Sequence, residues 1–265
     1  MYEASIGGKL AFVTGAGAGI GRAIALRLAA EGAAVHVTDL NEEWAKRTED
    51  EITKKKGKAS SAKLDVTSKT EVDSVIDACW KNQGPIQFLI NNAGVSTMNH
   101  LWDLTERDWD FNMDVNAKGV FLVTVSALRK MLRHQYGDRK PKIVNTASMA
   151  GKIPAIYLAH YTASKFAVIG FTKESALELA PFGINVNCVC PGYVKTSMQE
   201  RELQWEAKLS NKTVEEVKKG YELQVPLGRL CEPDDVAKTV TYLCSSEADY
   251  VTGQALNVTG GQIMF

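Results

Sequence analysis

The chain has 265 residues, 45% of them hydrophobic and 23% charged, which is enough for one large α/β domain or two small ones. Its 31 Lys and Arg residues balance 31 Asp and Glu residues, so there is no net field to attract nucleic acid or an anionic membrane surface. The five cysteines are odd in number and show no C-x-x-C spacing, which argues against a disulfide framework.

The N-terminal residues and the apolar runs indicate no targeting or membrane segment. Residues 1–5 contain no basic region followed by an apolar stretch, as a secretory signal would require. No run reaches the roughly 18 uncharged apolar residues of a membrane span. We therefore expect a soluble cytoplasmic protein whose partners include neither nucleic acid nor a membrane.

Seven short runs of β-branched or apolar residues predict strands. They lie at 10–14, 35–38, 62–66, 88–91, 143–146, 184–189 and 255–258. The segments between them carry apolar residues at three- and four-residue spacing, such as Ile20, Ile24 and Leu28, and predict helices. Because parallel neighbours are joined only by long crossovers, this alternation predicts a doubly wound, Rossmann-like α/β fold. We expect a single domain over residues 1–265, with a seven-stranded parallel sheet and helices on both faces.

One polar, helix-prone segment, residues 197–223, interrupts the passage from the sixth strand to the last helix. Trp205, Leu209 and Val217 are spaced as on one or two amphipathic helices. The segment is either a surface ornament or a helical lid over a substrate.

A glycine-rich turn directly follows the first predicted strand and opens a helix. Its sequence is Thr14-Gly15-Ala16-Gly17-Ala18-Gly19-Ile20-Gly21-Arg22. Glycines let the chain turn tightly and let backbone N–H groups approach a pyrophosphate, whose charge is favoured at a helix N-terminus. The pattern predicts that Gly15, Gly19, Ile20 and Gly21 hold a dinucleotide, with a merely tight connection as the alternative.

Asp39 ends the second predicted strand, 18 residues past Gly21. The fold places a carboxylate there that can accept a hydrogen bond from a ribose diol; the alternative is a cap for the helix beginning near Asn41. Since the carboxylate would repel the extra phosphate of NADP, and neither Ala18 nor Leu40 is basic, we predict NAD(H) rather than NADP(H) as the cofactor.

Tyr161 and Lys165 are four residues apart in a helical stretch, so both side chains project from one face. A tyrosine has a pKa of about 10 and becomes a useful base only when that pKa is lowered by about two to three, which a neighbouring ammonium favours. Ser148 follows the fifth predicted strand, where its hydroxyl can polarise a substrate oxygen. Alone, the pair is more typical of a surface ring under a lysine than of a catalytic site. Tyr157 cannot replace Tyr161, because the residue four positions on is not a lysine.

Together these motifs resemble the short-chain dehydrogenase/reductase family over nearly the whole chain. The matching pieces are Thr14-Gly15-x-x-x-Gly19-x-Gly21, Asp65, Asn91-Asn92-Ala93-Gly94, Asn116, Ser148, Tyr161-Thr162-Ala163-Ser164-Lys165 and Pro191-Gly192. The resemblance implies that Tyr161 exchanges a proton with the substrate oxygen and that Ser148 orients that oxygen. It implies that Lys165 holds the nicotinamide ribose and lowers the tyrosine pKa, and that Asn116 helps to bind a proton-relaying water.

The same resemblance implies the remaining cofactor contacts. Leu40 would lie beside Asp39. Asp65 and Val66 would lie at the adenine, and Asn92 and Gly94 would lie along the ribose. The residues around the nicotinamide would be Pro191, Gly192, Val194 and Thr196.

The substrate is less sharply indicated. The C-terminal segments resemble sorbitol and other polyol dehydrogenases, and the segment from Cys190 to Thr196 resembles acetoin reductases, the butanediol dehydrogenases. The candidate walls of the substrate pocket are Ser148, Met149, Ile153, Tyr193, Met198 and Trp205. We predict an oxidoreductase of a small polyol or secondary alcohol first, an acetoin or diacetyl reductase second and a 3-oxoacyl thioester reductase third. A non-enzymatic dinucleotide sensor is the alternative from another class.

Two further predictions concern metals and assembly. No His, Cys and carboxylate cluster has metal-ligand spacing, so we expect no metal. The helical stretches 105–134 and 156–180 are more apolar than solvent-exposed faces, and the resemblance implies a homotetramer built through them.

Overall fold

Seven strands form one parallel sheet in the computed structural model, which describes residues 3–137 and 140–265. The strands are β1 (Leu10–Val13), β2 (Ala34–Asp39), β3 (Lys58–Lys63), β4 (Ile86–Asn91), β5 (Lys142–Thr146), β6 (Asn185–Pro191) and β7 (Ala255–Val258). Their order across the sheet is β3-β2-β1-β4-β5-β6-β7. The order reverses between β1 and β4, and ligands of such sheets bind outside the carboxyl ends of the strands at that point. The predicted doubly wound α/β fold is confirmed.

Ten α-helices accompany the strands in the described part of the chain. They are α1 (Glu3–Ile6), α2 (Gly19–Ala30), α3 (Glu42–Lys54), α4 (Lys69–Gln83), α5 (Glu106–Met113), α6 (Gly119–Met131), α7 (Ala159–Leu179), α8 (Ser197–Ser210), α9 (Val214–Gln224) and α10 (Pro233–Cys244). Short 3₁₀ turns occupy Leu101–Asp103, Met149–Gly151, Ala180–Phe182 and Ser246–Ala248.

A hydrophobic core lies on each face of the sheet. On one face, Ile24 of α2 and Val240 of α10 belong to the cluster that includes Val13 of β1. On the other face, Ile76 of α4 and Val123 of α6 belong to a cluster with further strand residues. Helices therefore cover both faces, as the alternating pattern predicted, and both clusters fix the strand ends that carry the site.

The third strand lies earlier than predicted. We expected it at 62–66, where Leu64 and Val66 are apolar, but β3 spans Lys58–Lys63 and the two apolar residues follow it as buried parts of the next turn. β3 is an edge strand with one pairing partner. Because its residues are largely half-exposed, the strand has no hydrophobic run by which to recognise it.

Two predicted helical stretches are divided. The stretch 105–134 consists of α5, a five-residue π-helical segment (Asp114–Lys118) and α6. The segment 197–223 forms α8 and α9, separated at Asn211, which adopts a left-handed conformation with φ of 54°. Thr196 and Thr213 cap the two helices.

The sequence argued against a membrane span, a disulfide framework and a metal site. None of the helices described is both long and apolar enough to cross a membrane. All five cysteines are free. Within residues 3–137 and 140–265, no group of His, Cys, Asp and Glu side chains is arranged to hold a metal ion.

Candidate active site

A cleft of about 630 Å³ lies at the carboxyl ends of the central strands. It collects twenty of the residues that the sequence indicated. They are Gly15, Gly19, Ile20, Asp39, Leu40, Asp65, Val66, Asn92, Gly94, Ser148, Met149, Ile153, Tyr161, Lys165, Pro191, Gly192, Tyr193, Val194, Thr196 and Met198. Gly21, Asn116 and Trp205 do not line the cleft.

The glycine-rich turn is shaped to let a ligand approach its backbone. Gly15 has φ of 59°, and a Cβ there would lie 2.7 Å from the Cα of Ala93. The N-terminus of α2 follows, and its N-cap residue Ala18 makes no side-chain capping bond. Backbone N–H groups at the start of a helix, unclaimed by a capping side chain, favour an anion. The turn therefore fits the pyrophosphate of a dinucleotide.

Gly21 supports this turn from behind. A Cβ at this position would lie 2.1 Å from the carbonyl oxygen of Gly15 and 2.4 Å from Nδ2 of Asn92. Both partners are held in place, since Asn92 Nδ2 donates to the carbonyl oxygens of Thr14 and Gly15 at 3.2 and 3.1 Å. Gly21 thus shapes the site without touching the cleft.

We expect Gly21→Ala to destabilise the fold by about 1–3 kcal/mol, because the added methyl group forces the turn to shift. The variant should also bind NADH more weakly. Thermal unfolding and titration of NADH fluorescence measure the two effects. The matched control is Gly220→Ala in α9, where a Cβ meets nothing within 4 Å; equal behaviour of the two variants would contradict the close packing at Gly21.

Thr14 is a structural member of the site to which the sequence analysis gave no role. Its buried hydroxyl accepts hydrogen bonds from the backbone N–H groups of Asn92 and Ala93, both at 3.0 Å. These bonds join the end of β1 to the loop after β4. The signal for Thr14 was its place directly before Gly15, but its partners lie almost 80 residues away, so the sequence alone did not reveal them.

Asp39 presents a fixed carboxylate at one end of the cleft. One oxygen accepts from the backbone N–H of Gly17 at 3.0 Å and the other from that of Asn41 at 2.9 Å. Asn41 itself caps α3, accepting from the N–H of Trp44 at 3.1 Å, so Asp39 is not the helix cap. Asp65 also lines the cleft and is held by Thr67, whose hydroxyl donates at 2.7 Å.

The carboxyl end of β5 and the first two turns of α7 supply the reactive side chains. Ser148 follows β5, and its hydroxyl accepts from the N–H of Ala150 at 3.1 Å. Lys165 lies one helical turn after Tyr161, with Nζ 5.6 Å from the centre of the Tyr161 ring. The Lys165 ammonium is buried and donates to the carbonyl oxygen of Thr146 at 3.0 Å. The three predicted groups therefore meet at one cleft.

The pKa of Tyr161 differs in direction from the expectation. Burial raises the pKa of the phenol, and the negative charge of Glu202 raises it further, while a hydrogen bond with Ser148 opposes the rise. Burial lowers the pKa of Lys165 to about 8. We expected Lys165 to lower the tyrosine pKa, but its ammonium is directed to Thr146. The chain's own residues thus keep Tyr161 protonated, in the form that donates a proton.

Asn116 does not line the cleft but forms hydrogen bonds to Val95, which does, and to Ser164 of α7. Its amide nitrogen donates to the carbonyl oxygen of Val95 at 2.9 Å and to the hydroxyl of Ser164 at 3.0 Å. Its amide oxygen accepts from the N–H of Val95 at 2.8 Å, and Ser164 donates to the carbonyl oxygen of Tyr161 at 2.7 Å. The side chain therefore positions the tyrosine helix. Its predicted share in a water relay stays a prediction.

The helical segment after β6 forms a polar wall that the sequence analysis missed. On α8, the residues that line the cleft include Met198, Glu202 and Glu206, whereas Trp205 lies off this face and is half-buried. Trp205 was therefore wrongly placed in the pocket. The four-residue spacing from Met198 to Glu202 and on to Glu206 was the available signal. The other polar residues of this wall are Gln199, Arg201, Tyr221, Gln224 and Gln262.

Comparison with known proteins agrees with this geometry. The family model described as short chain dehydrogenase matches residues 9–207. The 3-oxoacyl-(acyl-carrier-protein) reductase FabG of Aquifex aeolicus (strain VF5) is 38% identical over 260 residues, covering 98% of this chain and 99% of that protein.

Two solved structures are similar over nearly their full length. A structure of NAD⁺-bound xylitol dehydrogenase is 34% identical with a TM-score of 0.92, covering 97% of this chain and 99% of that one. A variant of actinorhodin polyketide ketoreductase with NADPH is 38% identical with a TM-score of 0.91, covering 98% of each chain. On its motifs, its fold and these matches, the chain belongs to the short chain dehydrogenase family and is an oxidoreductase of that family.

Proposed function

We propose that the protein is an NAD(H)-dependent oxidoreductase that interconverts a small polyol or secondary alcohol and its ketone. The observation that carries the proposal is the cleft in which Ser148, Tyr161 and Lys165 face the same space as the glycine-rich turn and Asp39. A protein that only sensed a dinucleotide would need no proton donor beside the nicotinamide site.

The residues of the cleft fit a bound dinucleotide. Gly15 and the start of α2 would hold its pyrophosphate, Asp39 its adenosine ribose, and Pro191 and Thr196 the nicotinamide end. When bound, NAD(H) supplies or accepts the hydride. Ser148 would orient the substrate oxygen, and Tyr161 would give it a proton in ketone reduction or take one in alcohol oxidation.

The charges that line the adenosine end of the cleft favour NAD(H) over NADP(H). Asp39 and Asp65 are the ionisable residues that line the adenosine end, whereas the basic residues lining the cleft are Lys165, beside Tyr161, and Arg201 on α8. A phosphate on the ribose would meet a fixed carboxylate with no arginine or lysine to offset it.

We expect Asp39→Ala to relax this preference. The ratio of kcat/KM for NAD to that for NADP should fall about tenfold to a hundredfold, because a charged hydrogen-bond acceptor is lost on one side and a repulsion on the other. Asp39→Asn separates the two effects, since it removes the charge and keeps an acceptor. Initial rates with both cofactors measure the ratio.

The control for this experiment is Glu43→Ala. Glu43 is an exposed acid in the first turn of α3 that does not line the cleft. A wild-type enzyme that prefers NADP, or an unchanged ratio in both Asp39 variants, would contradict the role given to Asp39.

A 3-oxoacyl thioester is the second candidate substrate. It is favoured by the name of the Aquifex relative and by the apolar side of the cleft, which includes Met149, Ile153 and Ile156. Initial rates with C4 to C6 polyols, butanediols, their ketones and acetoacetyl thioesters distinguish the candidates. Turnover of the thioester alone would replace our first choice. The specific likeness to sorbitol dehydrogenases and acetoin reductases stays a prediction.

Assembly and location complete the proposal. We expect a homotetramer, since the exposed fractions of Trp109, Phe121 and Phe166 are 46%, 47% and 47%, which is unusual for large aromatic side chains on α5, α6 and α7. Sedimentation at the monomer mass at every concentration would contradict this expectation. The cytoplasmic location stays a prediction.

A further inference from the structure

The side chains of the polar wall neither donate nor accept the proton in the mechanism proposed above. Glu202 and Glu206 lie on α8, Gln224 ends α9 and Gln262 belongs to the C-terminal turn, yet all four line the same cleft. The cleft also has apolar lining, which includes Met149, Ile153 and Ile156. A ligand beside the polar wall would therefore meet hydrogen-bonding groups of the wall as well as apolar side chains.

Most of this wall is already held by contacts within the chain. The Tyr221 hydroxyl donates to Glu206, and the Tyr221 ring stacks on that of Tyr193 at 3.7 Å. The Tyr193 hydroxyl donates to Oε1 of Gln224 at 3.3 Å, and Nε2 of Gln262 donates to the same oxygen at 3.2 Å. These contacts give the wall a fixed shape.

Two buried oxygens at this wall are without a partner that meets hydrogen-bond geometry in the described chain. They are Oγ of Ser96 and Oε1 of Gln262. Ser96 nevertheless lies close enough to Glu202 to lower the pKa of that carboxyl. A buried amide oxygen such as that of Gln262, which lines the cleft, normally has a partner, so this part of the wall is suited to a ligand that donates a hydrogen bond.

Glu202 is the member of the wall whose charge acts on Tyr161. Gln199 donates to one of its carboxylate oxygens at 3.3 Å. Burial raises the pKa of Glu202, and its negative charge in turn raises the pKa of the Tyr161 phenol. The carboxylate and the phenol therefore share one poorly solvated space, in which a donor offered by a ligand would be strongly favoured.

The charge at this end of the cleft is negative. The charged residues of the wall are Glu202, Glu206 and Arg201, and Arg201 is exposed. A carboxylate or phosphate near the reacting carbon of a substrate would add a further negative charge at low dielectric. A neutral hydroxyl would instead add a further hydrogen-bond donor to Glu202.

We propose that Glu202 determines the substrate class by accepting a hydrogen bond from a second hydroxyl of an uncharged polyol, and that the same carboxylate excludes substrates with an anionic group near the reacting carbon. This inference rests on the proposed function and identifies which alcohols the cleft selects.

Three alcohols that react at the same kind of secondary carbon test it. Butane-1,3-diol carries a second hydroxyl, butan-2-ol lacks it, and 3-hydroxybutyrate replaces it with a carboxylate. With NAD, we expect the wild-type kcat/KM for the diol to exceed that for butan-2-ol about tenfold and that for 3-hydroxybutyrate by more. In Glu202→Gln, which removes the charge and keeps the shape, both ratios should fall about fivefold to tenfold.

Glu200→Gln is the matched control, because Glu200 is an exposed acid on α8 outside the cleft. It should leave both ratios unchanged. Thermal unfolding and NADH titration verify that Glu202→Gln is folded and binds the cofactor. If that variant does not fold, the wild-type ratios alone decide.

The outcomes separate the two proposals. Turnover of none of the three alcohols with either cofactor would overturn the proposed function, and this inference with it. Turnover of butan-2-ol or 3-hydroxybutyrate as efficient as that of the diol would overturn the role of Glu202 while leaving the proposed function in place. Unchanged ratios in a folded Glu202→Gln would do the same.

Discussion

Replacing Tyr161 with phenylalanine is expected to lower kcat/KM for ketone reduction by about two to four orders of magnitude, the usual contribution of a positioned proton donor. The ring remains, so the packing at the start of α7 and the contact with Lys165 are kept. The hydroxyl is lost, and with it the group whose pKa the surrounding residues raise. The rate of NADH absorbance change measures the loss, and NADH fluorescence should show cofactor binding close to that of the wild type.

Tyr157→Phe is the matched control for this variant. Tyr157 lies four residues earlier, in the turn before α7, does not line the cleft and packs edge-on against His100 at 5.1 Å. Removing its hydroxyl should leave turnover within about twofold, as for a residue with no part in proton transfer. Normal turnover in Tyr161→Phe, with NADH bound, would remove the proton-donor role from this residue.

The order of strands and helices was readable because the central strands are buried on both faces. β4, for example, is buried along its whole length, and such strands appear in the sequence as continuous apolar runs. β3 was misplaced because an edge strand needs no such run. Burial decides which strands a sequence reveals, and burial depends on neighbours that are distant along the chain.

The site likewise contains parts that the sequence revealed and parts that it did not, depending on whether the residues are close along the chain. The glycine turn and the pair Tyr161 and Lys165 are local arrangements, in which the spacing alone sets the geometry. The polar wall brings together Glu202, Gln224 and Gln262 from three separate segments. Which face of α8 meets the cleft depends on Leu203 and Ala207 packing against Val217 of α9. That packing also turned Trp205 away from the position we had predicted.

The direction in which the structure shifts the pKa of Tyr161 could not be predicted from the sequence either. Spacing showed that a lysine lies one turn away, but not that both groups are desolvated. Nor did it show that the Lys165 ammonium is bound to the carbonyl oxygen of Thr146. Desolvation raises the pKa of a phenol and lowers that of an ammonium, so burial outweighs the neighbouring cation. The chain's own residues thus favour proton donation, and abstraction of a proton from an alcohol should be favoured by higher pH.

Lys165 should therefore set the alkaline limit of ketone reduction. Burial lowers its pKa to about 8, so the cation is complete below about pH 7 and is lost as the pH rises through 8. The phenol of Tyr161, with its raised pKa, stays protonated over the same range. We expect kcat/KM for reduction to be level at low pH and to fall above pH 8, approaching about tenfold for each further pH unit.

Lys165→Met should lower the level part of this profile by about a hundredfold or more, since a buried cation near the Tyr161 ring is lost. It should also abolish the decline near pH 8, whereas Lys165→Arg, which stays charged at every accessible pH, should abolish the decline while retaining more activity. Lys173→Met, on the exposed side of α7, is the control and should keep the wild-type profile. Burial raises the pKa of Tyr161, so a decline near pH 8 that persisted in Lys165→Met would point to a group other than Lys165. The role of the Lys165 cation would then be wrong.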